Sequence, residues 1–528
     1  MGSRERLDLS ELAWTSMEQP ERPMHVATLL VYSLPKNAQP SYLRDLVESL
    51  RESTEIVSPF NKVLRKPTLF RPYPHWQRNY DLDMEYHVRH LALPAPGSER
   101  ELGALIARLH SNRLDFKRPL WEYHIIEGLE NNRFAVYFKM HHAIVDGIAG
   151  VRMLQRSMSS DPEDLSAPAL WSAALPDSLL EAHTTKPRLK RALAGAKKSV
   201  VSANQVARQL YEAFRAGSDE NDPLVLPFQA PRTIFNGRIG SQRRFATQQY
   251  AFERIKKLSK AANCTVNDVV LAISAGAVRR FLRDQNALPG QPLIAGIPVS
   301  LRPKDDQSAG AAVSFIMANM GTHIADPRRR VEAICASTRR AKSVMKNMSR
   351  EEIENFTAVI MSPNSMQSTL NLDGYGRPIF NITVSNVPGP LEHLYLNGSR
   401  LEAMYPVSAV THGQALNITC YSYAGNLSFG FAGCRDSVPR LQRLAIYAGE
   451  ALEELETVFL GGSAARSENP SADTMPVGER AGDPQLQGDD VTAPVEGKPS
   501  PEQTRQSDKG RRIRSAAASK VADEPVKH

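Results

Sequence analysis

Arg133-Phe134-Ala135-Val136-Tyr137-Phe138-Lys139-Met140-His141-His142-Ala143-Ile144-Val145-Asp146-Gly147 passes from an apolar run to a pair of histidines and then to an Asp-Gly turn. β-Branched and aromatic residues fill the middle of the run, which predicts a strand over residues 133–140. Asp146-Gly147 marks a turn, and helical spacing of apolar residues resumes over residues 148–158. Upstream, residues 123–127 read as a second strand, and Glu130-Asn131-Asn132 between the two suits a hairpin turn. The histidines thus leave a buried strand at its end, where the backbone is held rigidly and a side chain can meet a ligand.

The same alternation runs along the chain. Residues 24–32 are rich in β-formers and end at Pro35, and residues 40–56 carry helical spacing through Leu43, Leu46, Val47 and Leu50. In the second half, residues 265–283 and 327–346 read as helices and 440–455 as a final helix. Residues 293–299, 379–387, 415–423 and 427–433 read as strands, with Ala424-Gly425-Asn426 a hairpin turn. Helices and strands mixed in both halves predict an α/β (α+β) chain of two similar domains, although no strong internal repeat is visible. Between the halves the character changes. Pro162, Pro168, Pro176 and Pro187 precede a basic stretch with Arg188, Lys190, Arg191, Lys197 and Lys198, followed by helical sequence to Arg215. The expected organisation is a first domain over 1–160, a linker with basic helices over 161–240, a second domain over 241–463 and a tail over 464–528. The linker's charges fit either a solvated helix face or an interfacial membrane contact. The tail holds no Phe, Trp or Tyr, cannot bury enough apolar area to offset its ordering entropy, and is expected to be disordered.

At 528 residues the chain has room for two or three average domains, and 41% hydrophobic with 23% charged residues is an ordinary globular balance. A net charge of +8 favours anionic partners, without choosing among lipid surfaces, nucleic acid and phosphate-bearing cofactors. Cys264, Cys335, Cys420 and Cys434 form no C-x-x-C pair, which argues against a zinc knuckle or redox motif and for a reducing cytosol. The first residues lack the apolar core of a signal peptide and the serine or threonine of a myristoylation signal. No run approaches the ~20 apolar residues of a membrane span, so any membrane contact is expected to be peripheral.

His141-His142-x-x-x-Asp146-Gly147 carries the chemistry. A neutral imidazole is a suitable base at pH 7 and can return its proton to a leaving group. Asp146 can fix local geometry by bonding an imidazole or pairing with an arginine, and Gly147 permits a tight turn. Metal binding is the rival reading. Adjacent histidines on a strand point to opposite faces and do not chelate one ion without a bend, and no third ligand is evident, so no metal is expected. Two structurally satisfied histidines are the other alternative. Ala272-Ile273-Ser274-Ala275-Gly276 nearly matches a nucleophile elbow, but it lies inside a continuous helical pattern rather than at a strand-to-helix turn.

Taken together, several motifs resemble the bacterial wax ester synthase/diacylglycerol acyltransferase family, part of the wider chloramphenicol acetyltransferase and condensation-domain group. They are Pro23-Met24-His25-Val26, Tyr86-His87-Val88-Arg89-His90-Leu91 and Arg118-Pro119-Leu120-Trp121-Glu122. His141–Gly147, Thr265-Val266-Asn267-Asp268 and Ser385-Asn386-Val387-Pro388-Gly389-Pro390 complete the set. The similarity covers residues 8–460, and the order and spacing of the motifs make it specific. It implies two chloramphenicol-acetyltransferase-like domains forming a pseudo-dimer, with an active-site tunnel between them. It also implies His142 as general base beside His141, with Asp146 turned away from substrate in a structural role. Acyl-CoA is the implied co-substrate, with no cofactor, and diacylglycerol or a long-chain fatty alcohol is the implied acceptor.

Beside that resemblance the residues keep their own readings. Thr265 and Asp268 read as a helix capping box, and the functional alternative for this motif is Asn267 facing the site. Asn386–Pro390 has the chemistry of a rigid turn. Pro119, Leu120 and Trp121 pack the core beside the active site. The expected setting is cytoplasmic, at the inner face of the membrane or on lipid inclusions, with no nucleic-acid partner. Acylation of another alcohol or an amine, and a catalytically silent membrane-binding relative, are the alternatives. Deleting residues 464–528 is expected to leave activity intact; a large loss in an acyl-transfer assay would show that the tail does more.

Overall fold

A computed structural model describes residues 4–461 except 54, 70–71, 80, 146, 174–222, 301–312, 347, 349–351 and 354–373. The helices expected in the linker therefore lie largely outside the described residues, as do the tail and Asp146. Two six-stranded sheets organise the rest. The first runs Tyr395–Leu396, Ser399–Val407, His25–Ser33, Arg133–His141, Trp121–Leu129 and Val88–Ala92. The second runs Val313–Asn319, Ile294–Ser300, Ile382–Pro388, Leu416–Tyr423, Asn426–Cys434 and Arg243–Ala251. A small third sheet joins Arg4–Arg6, His75–Arg78 and Lys62–Arg65. The mixed α/β architecture is the one the sequence predicts.

Turn chemistry accounts for the hairpins. Asn131 and Asn132 adopt positive φ (63° and 52°), which asparagine tolerates better than most residues, and they close Trp121–Leu129 onto Arg133–His141. Ala424 and Gly425 close Leu416–Tyr423 onto Asn426–Cys434 in the same way.

The strand Ser399–Val407 departs from the expected division. It belongs by sequence to the second domain, yet it pairs antiparallel with His25–Ser33 in the first sheet. Its own sequence hides it, because Arg400, Glu402 and Pro406 weaken the strand pattern. Where this strand crosses Asn426–Cys434, Gly430 is required: a Cβ there would lie 1.9 Å from the Pro406 carbonyl oxygen. The sheets are joined again by the helix Glu99–Ser111. Its Leu102 and Ile106 share a cluster with Ala135, Tyr137 and Val407 of the first sheet and Phe245 of the second. Ser111 Oγ also accepts from the Arg243 N–H (2.8 Å).

The second sheet buries one face under the helices Val266–Asp284, Pro327–Lys346 and Gln442–Leu460. Val270, Ile273, Val278 and Leu282 of the first of these are fully enclosed, each contributing on the order of 2 kcal/mol through burial. The first sheet has a dry face, on which Phe134, Val136, Phe138 and Met140 pack with Leu30, Tyr32 and Trp121. Its other face carries a polar seam. Lys139 meets Glu122 (2.8 Å) and donates to the Leu109 and Asn112 carbonyls, while His124 Nε2 lies 3.2 Å from the same carboxylate. Burial opposes ionisation of Glu122, but His124 and Lys139 outweigh it and hold the carboxyl at about 2.

Three of the buried histidines in this half are held neutral away from any carboxylate partner of their own. His110 bonds Tyr137 and the Ser408 carbonyl, His25 lies against the His110 carbonyl, and His87 lies against the Trp121 carbonyl with its ring stacked on the indole. Burial lowers His87 to about 4 and His110 to about 3, and pulls His25 well below the ordinary value. In the unfolded chain all three titrate near 6.5, so below that pH the unfolded state binds more protons than the folded one. Their neutral burial therefore costs nothing at pH 7, but acidification draws the equilibrium toward unfolding by up to about 1.4 kcal/mol per histidine per pH unit. The urea midpoint is expected to fall between pH 7 and pH 5; a midpoint that holds or rises would contradict this.

Candidate active site

Strand pairing places the two motif histidines differently. His141 ends its strand opposite His25 and is 1% exposed, on the same face as Lys139 and Tyr137. Its N–H donates to the Leu120 carbonyl (2.9 Å), its Nδ1 accepts from the Ala143 N–H (3.1 Å), and its Nε2 lies 3.6 Å from a Glu18 carboxylate oxygen. With Nδ1 accepting, Nε2 is the N–H edge of the ring, and it faces Glu18 beyond hydrogen-bond distance. Phe116 meets it edge-on at 5.4 Å.

His142 lies beyond the strand end and is only half-buried. Its main-chain N–H donates to the Met24 carbonyl (2.9 Å), and its ring stacks on the Trp14 indole with centroids 3.9 Å apart and planes 11° from parallel. The Nδ1 edge of the ring is buried. Gly147 opens the helix Gly147–Arg156. A Cβ there would meet nothing within 4 Å, so packing does not demand glycine.

Glu18 ties this corner together, and nothing in the local sequence announced it. Its carboxylate accepts from the Met24 N–H and from Arg113 Nε (2.8 Å), besides facing His141. Burial pushes its pKa up, but His141, Met24 and Arg113 together leave it below the usual carboxylate value. Met24 thus receives His142 on its carbonyl and binds Glu18 through its N–H. Trp14, the other residue that sequence reasoning missed, stands on the helix Leu9–Met17, which Asp8 and Glu11 cap reciprocally. Helical spacing alone would mark it as core.

The remaining motif residues divide between support and placement. Leu120 supplies the carbonyl that holds His141, and Pro119 supplies the one that accepts from Trp121 N–H. Trp121 is fully buried, donates to the Phe60 carbonyl (2.8 Å) and stacks on Trp171. Arg89 and Tyr86 reach Glu122, so the Tyr86–Leu91 and Arg118–Glu122 motifs build one platform under the site. Asp268 is buried and used up. One oxygen closes the capping box with Thr265 and the other accepts from Thr338 Oγ1 (2.7 Å). Asn267 accepts from Asn386 Nδ2 (2.7 Å), linking the helix start to the strand Ile382–Pro388. The adjoining Val387 pairs with Tyr421 and packs against the core cluster of the first half. Among the described residues no three His, Cys, Asp or Glu side chains gather as metal ligands.

Residues 7–270 match the wax ester synthase/diacylglycerol acyltransferase catalytic domain, and residues 309–456 match the WS/DGAT C-terminal domain. A Mycobacterium tuberculosis homologue named as a diacylglycerol O-acyltransferase is 43% identical, the match covering 85% of this chain and 97% of the relative. The O-acyltransferase WSD of Acinetobacter baylyi is 40% identical over 85% of this chain and 96% of its own. Among solved structures, the wax ester synthase/diacylglycerol acyltransferase from Marinobacter aquaeolei VT8 superposes with a TM-score of 0.69 at 35% identity. That match covers 86% of this chain and 99% of that one. The first condensation domain of the calcium-dependent antibiotic synthetase, at 16% identity and a TM-score of 0.54 over 87% of this chain and 97% of that one, shares the fold. The chain is an O-acyltransferase and belongs to the wax ester synthase/diacylglycerol acyltransferase family.

Proposed function

We propose that this chain transfers the acyl group of an acyl-CoA to the hydroxyl of diacylglycerol or a long-chain fatty alcohol, with His142 as general base. The unequal placement of the two histidines carries the reading. His141 is sealed between Glu18, Ala143 and Phe116, whereas His142 leaves the strand end with its backbone clamped, its Nδ1 edge buried and its ring only half-buried. Nε2 takes the hydroxyl proton as the alcohol oxygen attacks the thioester carbonyl carbon. The carbon–sulfur bond of the tetrahedral intermediate then breaks, the CoA sulfur leaves with the proton held on His142, and ester and free thiol depart with His142 restored. Both substrates are present together, so no acyl-enzyme is required, and a site closed to water protects the thioester from hydrolysis. In this reading the site is a tunnel between the halves, and the acceptor arrives from a membrane face or lipid inclusion. No single helix among the described residues is long and apolar enough to cross a membrane, and this reading takes the contact as peripheral.

Glu18 acts at one remove, as a positioning group for the His141–His142 backbone. With purified protein, acyl-CoA and a panel of alcohols, wild type is expected to give triacylglycerol or wax ester by product mass. His142→Ala is expected to lose at least about a hundredfold in kcat. Equal slow CoA release by both proteins with every alcohol would sink the mechanism, and a product from an amine acceptor only would replace the acceptor class. Glu18→Gln keeps the shape but removes the charge. It is expected to lower kcat about tenfold with KM for acyl-CoA within about twofold; an unchanged kcat would remove Glu18 from the account.

A further inference from the structure

Trp14 packs against the core of the first sheet and also stacks on His142. The indole lies on a surface helix, only partly buried, and turns its face onto the imidazole at 3.9 Å and 11°. The helix is short, but its capping box fixes its start and its Glu18 end is tied to Met24 and Arg113. A histidine ring has a broad well about its second side-chain torsion, which the main-chain bond to Met24 does not narrow. A parallel indole does restrain it. It also covers one face of the ring against water, and it offers its negative face to the imidazolium that forms when the proton is taken.

We propose that Trp14 is a positioning residue for acyl transfer: its indole holds the His142 ring in the plane from which Nε2 meets the acceptor hydroxyl, and it stabilises the protonated ring in the transition state. The role rests on His142 being the base. Phenylalanine supplies a smaller face of the same kind and leucine supplies none, so kcat is ordered Trp, then Phe, then Leu at position 14. Substrate affinity is left nearly unchanged, because the indole acts on the ring rather than on substrate.

The test uses full-length protein with Trp14→Phe, Trp14→Leu and His142→Ala, measuring kcat and KM for acyl-CoA and for the alcohol. It also records the ring-proton resonances of histidine-labelled protein, with His142→Ala identifying the His142 signal. Trp14→Leu is expected to lose about thirtyfold in kcat with both KM values within about twofold, and Trp14→Phe about threefold. The His142 ring protons are expected to be shifted upfield in wild type, less so in the Phe variant, and to move downfield in the Leu variant. If Trp14→Leu does not fold, the Phe variant decides: a kcat equal to wild type, or a loss confined to KM, overturns the proposal. The same results in a folded Leu variant overturn it too, as does a His142 signal that does not move. A His142→Ala protein that keeps its activity brings down the assignment of the base itself. If His142→Ala is inactive while Trp14→Leu runs at wild-type kcat, the role of Trp14 alone fails.

Discussion

The hydrogen bond from the His142 N–H to the Met24 carbonyl is the joint on which the site hangs. It extends the ladder between His25–Ser33 and Arg133–His141 by one step past the last paired residues, so the base is held by sheet geometry although its side chain has left the sheet. Leu120 does the same for His141 from the opposite neighbour. Two flanking strands thus grip the histidine pair at its backbone, and the choice of which ring faces inward follows from the alternation of a strand. Move the register by one residue, and His141 would turn with Lys139 and Tyr137 to the apolar face while Phe138 and Met140 turned to the polar one.

Such a joint tolerates little slack, and the surrounding chemistry is arranged accordingly. Glu18 is ionised in a buried corner because three donors surround it, and those donors are the groups that need fixing. The Lys139–Glu122–His124 cluster follows the same pattern one layer below, with Lys139 also capping the last carbonyls of the helix Glu99–Ser111. Buried ion pairs of this kind add little net stability compared with apolar packing, but breaking one partner is costly. Their effect is to make alternative registers of the first sheet expensive.

Much of this was readable in advance because it is local. The run Arg133–Met140, the two-asparagine turn, and Thr265 with Asp268 three residues on are all patterns whose physics acts over a few residues. His141 and His142 could be named from the sequence, and strand alternation gave their opposite orientations. What escaped is non-local. Glu18 and Trp14 look like an ordinary helix end and an ordinary apolar position, since the groups they serve arrive from far along the chain. The Tyr86–Leu91 motif was recognisable as a motif, but that His87 stacks on Trp121 and Arg89 reaches Glu122 needs the parallel pairing of their strands. The strand Ser399–Val407 was missed because its stability comes from the surfaces it meets and not from its own composition.

That strand also imposes an order on biogenesis. Until it emerges from the ribosome, His25–Ser33 has one paired side and one bare side, and its Leu29, Leu30, Val31 and Tyr32 make that bare edge apolar. An uncovered edge of this kind is a template for intermolecular pairing. The first sheet therefore cannot mature as an independent unit during synthesis. It waits for nearly the whole folded region to be translated, and meanwhile depends on chaperone cover or on slow collapse of the nascent chain. The long-range crossing that sutures the halves also makes the amino-terminal half, expressed by itself, a candidate for aggregation.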